Sequence, residues 1–131
     1  ENGDIVKTTK LCEDIDNDQY TLWCIDNVAR QIHPLTASNI NKVFDLCHQV
    51  GPYWEEKCIV VNAGSYGSVG DPKSAITICN SPLSPPAQTE CFRTVIGQLA
   101  PDPNLTVEQK ASLCQLMAPP FSSQCFASLP K

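Results

Sequence analysis

Apolar residues recur at helical spacing through the first half of the chain and again at matching places in the second. From Leu22 to Ile32 the apolar positions are Leu22, Ile25, Val28, Ala29 and Ile32, a one-sided repeat that predicts a helix ending before Pro34. A second helix is expected with Ile40, Val43, Phe44 and Cys47 on its apolar face, Thr36 or Ser38 as its cap, and Val50-Gly51-Pro52 as its stop. Pro52 suits the first turn of a third helix through Trp54, Cys58, Ile59 and Val61, with Glu55 and Glu56 favourably placed near its N-terminus. The second half repeats the scheme: Leu105 to Met117, capped by Thr106 with Glu108 close behind, and then Pro119. The stretch around Cys12 is less regular, and its later version, Asn80-Ser81-Pro82-Leu83-Ser84-Pro85-Pro86, excludes a long helix. A short helical or extended arm held by its cysteine is expected there.

The matching places are set by an internal repeat. The cysteines are Cys12, Cys24, Cys47, Cys58, Cys79, Cys91, Cys114 and Cys125, and adding 67 to each of the first four positions gives the last four. The same offset, with no gap, superposes Val28 on Val95, Gln31 on Gln98, Pro34 on Pro101, Leu46 on Leu113 and Pro52 on Pro119. It also pairs Ile25 with Phe92, Ile32 with Leu99, Trp54 with Phe121 and Ile59 with Phe126. Agreement of spacing and apolar pattern together implies a tandem duplication, with residues 1–67 as one copy and 68–131 as the other. The join is expected in residues 62–72, whose three glycines, two serines and one proline read as a linker and not as a helix interior.

The fold class expected is all-α: two tandem disulfide-stapled modules of about three short helices each. Modules of roughly 60 residues have small cores and commonly need covalent support. Eight cysteines in 131 residues fit a disulfide scaffold from an oxidising compartment. Zinc sites use close cysteine pairs, whereas the shortest gap here is ten residues, as between Cys47 and Cys58. An antiparallel turn at Gly51-Pro52 would bring Cys47 to Cys58 and leave Cys12 for Cys24; the nested alternative pairs Cys24 with Cys47 and Cys12 with Cys58.

Charge divides the copies. Residues 1–67 carry five basic and ten acidic side chains, and residues 68–131 carry four of each. A net charge of -5 with scattered Lys and Arg argues against nucleic acid as a partner and against electrostatic docking to anionic lipid. The opening Glu1-Asn2-Gly3-Asp4 has neither the basic nor the apolar region of a signal peptide, as expected of a mature secreted form. Asn104-Leu105-Thr106 is a glycosylation sequon in a turn-forming context, making Asn104 a candidate acceptor.

The segment from Cys47 through Gly51-Pro52-Tyr53-Trp54 to Cys58 resembles the hairpin of saposin-like proteins, in which two cysteines ten residues apart join helices two and three. Cys114 to Cys125 repeats it, and the run from Cys24 through Val28 and Ile32 to Cys47 is similar too. About half of each module is covered. Saposins carry six cysteines, with a C-x2-C opening, and longer third and fourth helices, from which this chain departs. The resemblance implies lipid binding or membrane perturbation through an apolar face.

Catalytic chemistry has little to draw on. His33 and His48 are the histidines, the second copy has none, and neither carries a partner motif. Asp14-Ile15-Asp16-Asn17-Asp18 opens like a calcium loop, but Gln19 stands where the EF-hand needs Gly, and Ile25 where it needs Glu. No catalytic residue, metal or cofactor is expected. Trp23, Tyr53, Trp54, Phe121 and Phe126 are the side chains most able to anchor a partner, although aromatics at helical spacing more often belong to a core. The expectation is a secreted, non-enzymatic binding protein that meets a lipid or membrane surface. The alternatives are a scaffold recognising a protein receptor, as an effector, toxin or signalling ligand does, and a component of an extracellular material.

Overall fold

The computed structural model describes residues 5–32 and 39–130. These hold eight α-helices and no strand: α1 (Ile5–Glu13), α2 (Asp18–Arg30), α3 (Ile40–Val50), α4 (Glu55–Ser68), α5 (Pro72–Cys79), α6 (Pro85–Leu99), α7 (Val107–Gln115) and α8 (Phe121–Ala127). Two compact units divide the chain, Glu1–Asn62 and Ala63–Lys131. Helices α5, α6 and α7 begin at the cysteine offset from α1, α2 and α3, and α8 begins one position short of it from α4. The arm around Cys12 and Cys79 is therefore helical, and each repeat carries four helices where the apolar pattern predicts three.

Local chemistry explains the boundaries. Helix α2 starts at Asp18, four residues before its first apolar position, because the Asn17 side chain accepts a hydrogen bond from Tyr20 N. Asn39 caps α3 by accepting from Asn41 N, and Gly51, at φ 109°, ends that helix. The caps expected at Thr36 and Ser38 lie outside the described residues, as does His33. Helix α7 has the reciprocal capping box: Gln109 N donates to Thr106 Oγ1 at 3.1 Å and Thr106 N donates to Gln109 Oε1 at 2.8 Å.

The glycine-rich segment departs from expectation, since α4 runs through Gly64 and Gly67 to Ser68. Tertiary contact overrides propensity here. Ala63 and Tyr66 are buried, Gln98 Nε2 donates to Gly64 O at 3.0 Å, and a Cβ on Gly64 would only just touch Thr94. Gly70 supplies the true stop. At φ 86° it allows Gly70 N to reach Gly67 O and Asp71 N to reach Tyr66 O, the two bonds of a Schellman motif. Asp71 then caps α5 through Ser74 N, with Pro72 in the first turn.

Four disulfides join consecutive helices: Cys12–Cys24, Cys47–Cys58, Cys79–Cys91 and Cys114–Cys125, each with Cα atoms 5.5 or 5.6 Å apart. The sequential pairing, not the nested one, is present. Closing loops of this length stabilises by about 3 kcal/mol per bridge in the chain-entropy account. Within unit 1, α1 packs on α2 and α3; within unit 2, α5 packs on α6 and α7, and α7 on α8. The buried set of unit 1 includes Ile25, Val28, Ile32, Val43 and Val50, and that of unit 2 includes Ile76, Phe92, Val95, Leu99 and Phe121. The cores sit where the helical periodicity places them. Leu22 is the exception, left exposed on α2.

Candidate functional site

The aromatic side chains sort into core and surface. Phe121 is buried and stacks on Phe92, with ring centroids 4.5 Å apart and planes 18° from parallel, so it belongs to the interior of unit 2. Phe126 is part-exposed on α8. In unit 1, Trp23 is 55% exposed and meets Tyr20 edge-on at 5.2 Å. Tyr53 is 82% exposed and meets Trp54 edge-on at 4.6 Å.

Tyr53 and Trp54, together with Asp18, Thr21 and Leu22 from the first turns of α2, line an open cleft of about 350 Å³. That volume lies at the lower end of the range for small-molecule sites. Two local features build it. The α2 cap at Asn17 starts the helix early enough to put Asp18, Thr21 and Leu22 on successive turns, and the Gly51–Trp54 turn carries both aromatics out of the α3–α4 hairpin.

The polar atoms of the cleft are nearly all acceptors. Trp54 Nε1 is taken, donating to Glu13 Oε2 at 3.1 Å. The Thr21 hydroxyl proton is also taken, shared between Asn17 O at 3.0 Å and Ile15 O at 3.2 Å. Asp18 carries a carboxylate and makes no ion pair among the described residues. The Tyr53 hydroxyl alone can still donate. Two aromatic rings, an aliphatic side chain and acceptor oxygens therefore line the space.

Unit 2 presents different groups at the corresponding sequence positions. The counterparts of Tyr20, Leu22, Trp23 and Tyr53 in the second copy are Ala87, Thr89, Glu90 and Pro120. The pocket in unit 2 lined by Gly67, Pro72, Val95, Gln98, Leu99 and Asp102 holds about 10 Å³, room for one water. Gln98 Oε1, buried without a protein partner, borders it.

None of the remaining candidates lines the cleft. Asn104 is exposed between α6 and α7, in a turn where its N–H donates to Asp102 Oδ1 at 2.8 Å. His48 Nδ1 lies 3.4 Å from Glu55 Oε2 on the exposed side of the hairpin. Among the described residues no group of three His, Cys, Asp or Glu side chains could hold a metal ion, and no helix is long and apolar enough to cross a membrane. Asn17, the fourth residue of the calcium-like run, uses its side chain as a helix cap.

Sequence reasoning singled out Trp23, Tyr53 and Trp54 but missed Asp18, Thr21 and Leu22. Leu22 fits the apolar face of α2 by spacing, so periodicity assigned it to the core. The self-comparison of the copies carries a partial signal: Ile25 and Val28 keep apolar residues in the second copy, whereas Leu22 becomes Thr89, although the core position Val43 also turns polar there, to Lys110. Comparison with protein-family models, with curated proteins and with solved structures finds no match to this chain.

Proposed function

We propose that this is a secreted, non-enzymatic binding protein that engages its ligand through the aromatic cleft of unit 1. The observation that carries the reading is Tyr53, which leaves 82% of its surface exposed beside Trp54 on the wall of the cleft. An exposed aromatic of this size gives the fold little stability, and an aromatic anchor beside polar groups is the usual make-up of a binding hot spot. Four disulfides support secretion and fix the hairpins that frame the cleft. An N-glycan on the exposed Asn104 fits the same route.

A membrane-engaging role of the saposin-like kind is the second reading, favoured by the exposed apolar side chains Leu11, Tyr20, Leu22 and Trp23 of unit 1. The acidic balance of that half makes zwitterionic lipid its fitting surface.

The test is backbone-amide NMR of the intact protein against a mixed library of neutral, anionic and cationic fragments. Shift changes centred on Thr21, Leu22, Tyr53 and Trp54 support the cleft as the binding site. Fragments that bind only elsewhere, or none that bind, overturn it. Shifts on Leu11, Tyr20 and Trp23 with phosphatidylcholine vesicles, and none with fragments, would transfer the role to membrane engagement.

A further inference from the structure

We infer that the cleft of unit 1 selects an organic cation, an aliphatic ammonium or quaternary ammonium group; the inference rests on the reading of the cleft as the binding site. Three observations converge on positive charge. The first is the wall: Tyr53 and Trp54 present aromatic surface, and the negative face of an aromatic ring attracts a desolvated cation. Trp54 is the more attractive for its hydrogen bond to Glu13, which places a carboxylate against the indole edge.

The second is the donor count. A ligand rich in acceptors, such as a carboxylate or a phosphate, needs N–H or O–H groups aimed at it. Here the indole N–H is held by Glu13 and the Thr21 proton by the backbone of Ile15 and Asn17. What is left among the lining side chains is the Asp18 carboxylate, the acceptor side of Thr21 and one phenol. A ligand that brings its own positive charge is matched by these side chains, and the Asp18 carboxylate outweighs the partial positive charge of the α2 N-terminus beside it.

The third is the field. The residues around the cleft belong to the half of the chain with ten acidic and five basic side chains, and Glu13, Asp14, Asp16 and Asp18 all fall between the end of α1 and the start of α2. A concave site with low-dielectric walls under a net negative potential concentrates cations. The corresponding positions of unit 2 have Pro85 in place of Asp18 and Pro120 in place of Tyr53, and the Trp54 counterpart Phe121 is buried, so the charge and the exposed ring have no equivalent there.

Trp54 lines the cleft and the protein's other tryptophan, Trp23, does not, so a Trp23→Phe background makes tryptophan fluorescence report the site. The intact protein is titrated with tetramethylammonium and n-butylammonium, and in parallel with the uncharged isosteric alcohol and the anionic carboxylate of similar size. Saturable fluorescence changes with the ammonium ions, at least about tenfold tighter than with the alcohol and absent with the carboxylate, are the expected result. Added salt should weaken them. Equal affinity for alcohol and ammonium overturns cation selection while leaving the cleft as a binding site; no saturable change with any of them, in the face of fragment hits at the cleft, overturns it as well. Asp18→Asn, which keeps the Asn17 cap, is expected to weaken ammonium binding by about fivefold and leave alcohol binding alone. Phosphatidylcholine and phosphatidylglycerol vesicles separate the sources: saturation by the first and not the second identifies a lipid choline headgroup, and saturation by soluble ammonium alone identifies a free amine.

Discussion

The indole N–H of Trp54 donates to the Glu13 carboxylate at 3.1 Å across 41 residues of chain, tying the end of α1 to the turn before α4. The counterpart of Glu13 in the second copy is Asn80, at the end of α5, and it makes the same tie with other chemistry. Its Nδ2 donates to Leu116 O at 2.8 Å and its Oδ1 accepts from Ala118 N at 3.0 Å, holding the turn before α8. One position thus anchors the second hairpin in each half, once through a side chain at the cleft and once through backbone.

Removal of Asn80 should show this. Asn80→Ala loses both bonds and frees two turn groups, at an expected cost of about 1–3 kcal/mol in urea unfolding. Asn80→Asp should not restore stability, because it keeps the acceptor for Ala118 N and loses the donor to Leu116 O. Glu13→Gln keeps an acceptor for Trp54 and is expected to stay within about 0.5 kcal/mol of the parent.

The helices were largely legible because one face of each is apolar at regular spacing, as Ile25, Val28 and Ile32 illustrate in α2 and Val43, Cys47 and Val50 in α3. The first helix of each repeat was less so: around Cys12 and Cys79 the helices are only nine and eight residues long and end in turns. Glycines misled most. Gly64 and Gly67 read as a linker from composition, yet they lie in α4, where small residues admit Thr94 and Gln98 of α6. The cleft was half legible. Aromatic identity pointed to Tyr53 and Trp54, but no periodicity could reveal that an N-cap at Asn17 brings Asp18 and Thr21 to face them.

Those two glycines should respond oppositely to alanine. At Gly64 the new Cβ would lie 3.4 Å from Thr94 Cγ2, an ordinary contact, so Gly64→Ala gains helix propensity and is expected to stabilise by about 0.5–1 kcal/mol. At Gly67 the Cβ would collide with Gln98 Oε1, and moving that side chain breaks its bond to Gly64 O. Gly67→Ala should therefore forfeit the propensity gain and unfold at or below the parent temperature in calorimetry.

The four bridges close loops of nearly equal length, so chain entropy does not rank them. Access does. Cys24 is only half-buried, whereas its seven counterparts are buried. Under limiting reductant with rapid alkylation, peptide mapping should find Cys12 and Cys24 labelled first, before either bond of unit 2 opens.

Lys110 is the second copy's counterpart of the core residue Val43, and it is itself only 6% exposed. Its ammonium reaches out of the core to donate to Ala100 O at 2.7 Å, at the C-terminal cap of α6, where the helix dipole favours a positive charge. Stem and charge can be separated by mutation. Lys110→Met keeps the buried stem and should lose about 1–2 kcal/mol for the charge-assisted bond, and Lys110→Ala should lose more because the stem's packing goes too.

The division of the aromatics between core and cleft makes the sharpest demand on the functional reading. Phe92 and Phe121 stack inside unit 2, so alanine at either should cost about 3–5 kcal/mol and leave ammonium-induced fluorescence at the cleft unchanged wherever the protein still folds. Tyr53 is mostly in water, so Tyr53→Ala should unfold within about 0.5 kcal/mol of the parent, read by urea titration, while reducing binding of tetramethylammonium at least about threefold. A Tyr53→Ala protein that loses several kcal/mol would make the side chain structural, and one that keeps both stability and binding would remove it from the site. Tyr53→Phe discriminates further. If the ring face provides the attraction, Phe retains most of the affinity; if the phenol oxygen does, Phe behaves like Ala.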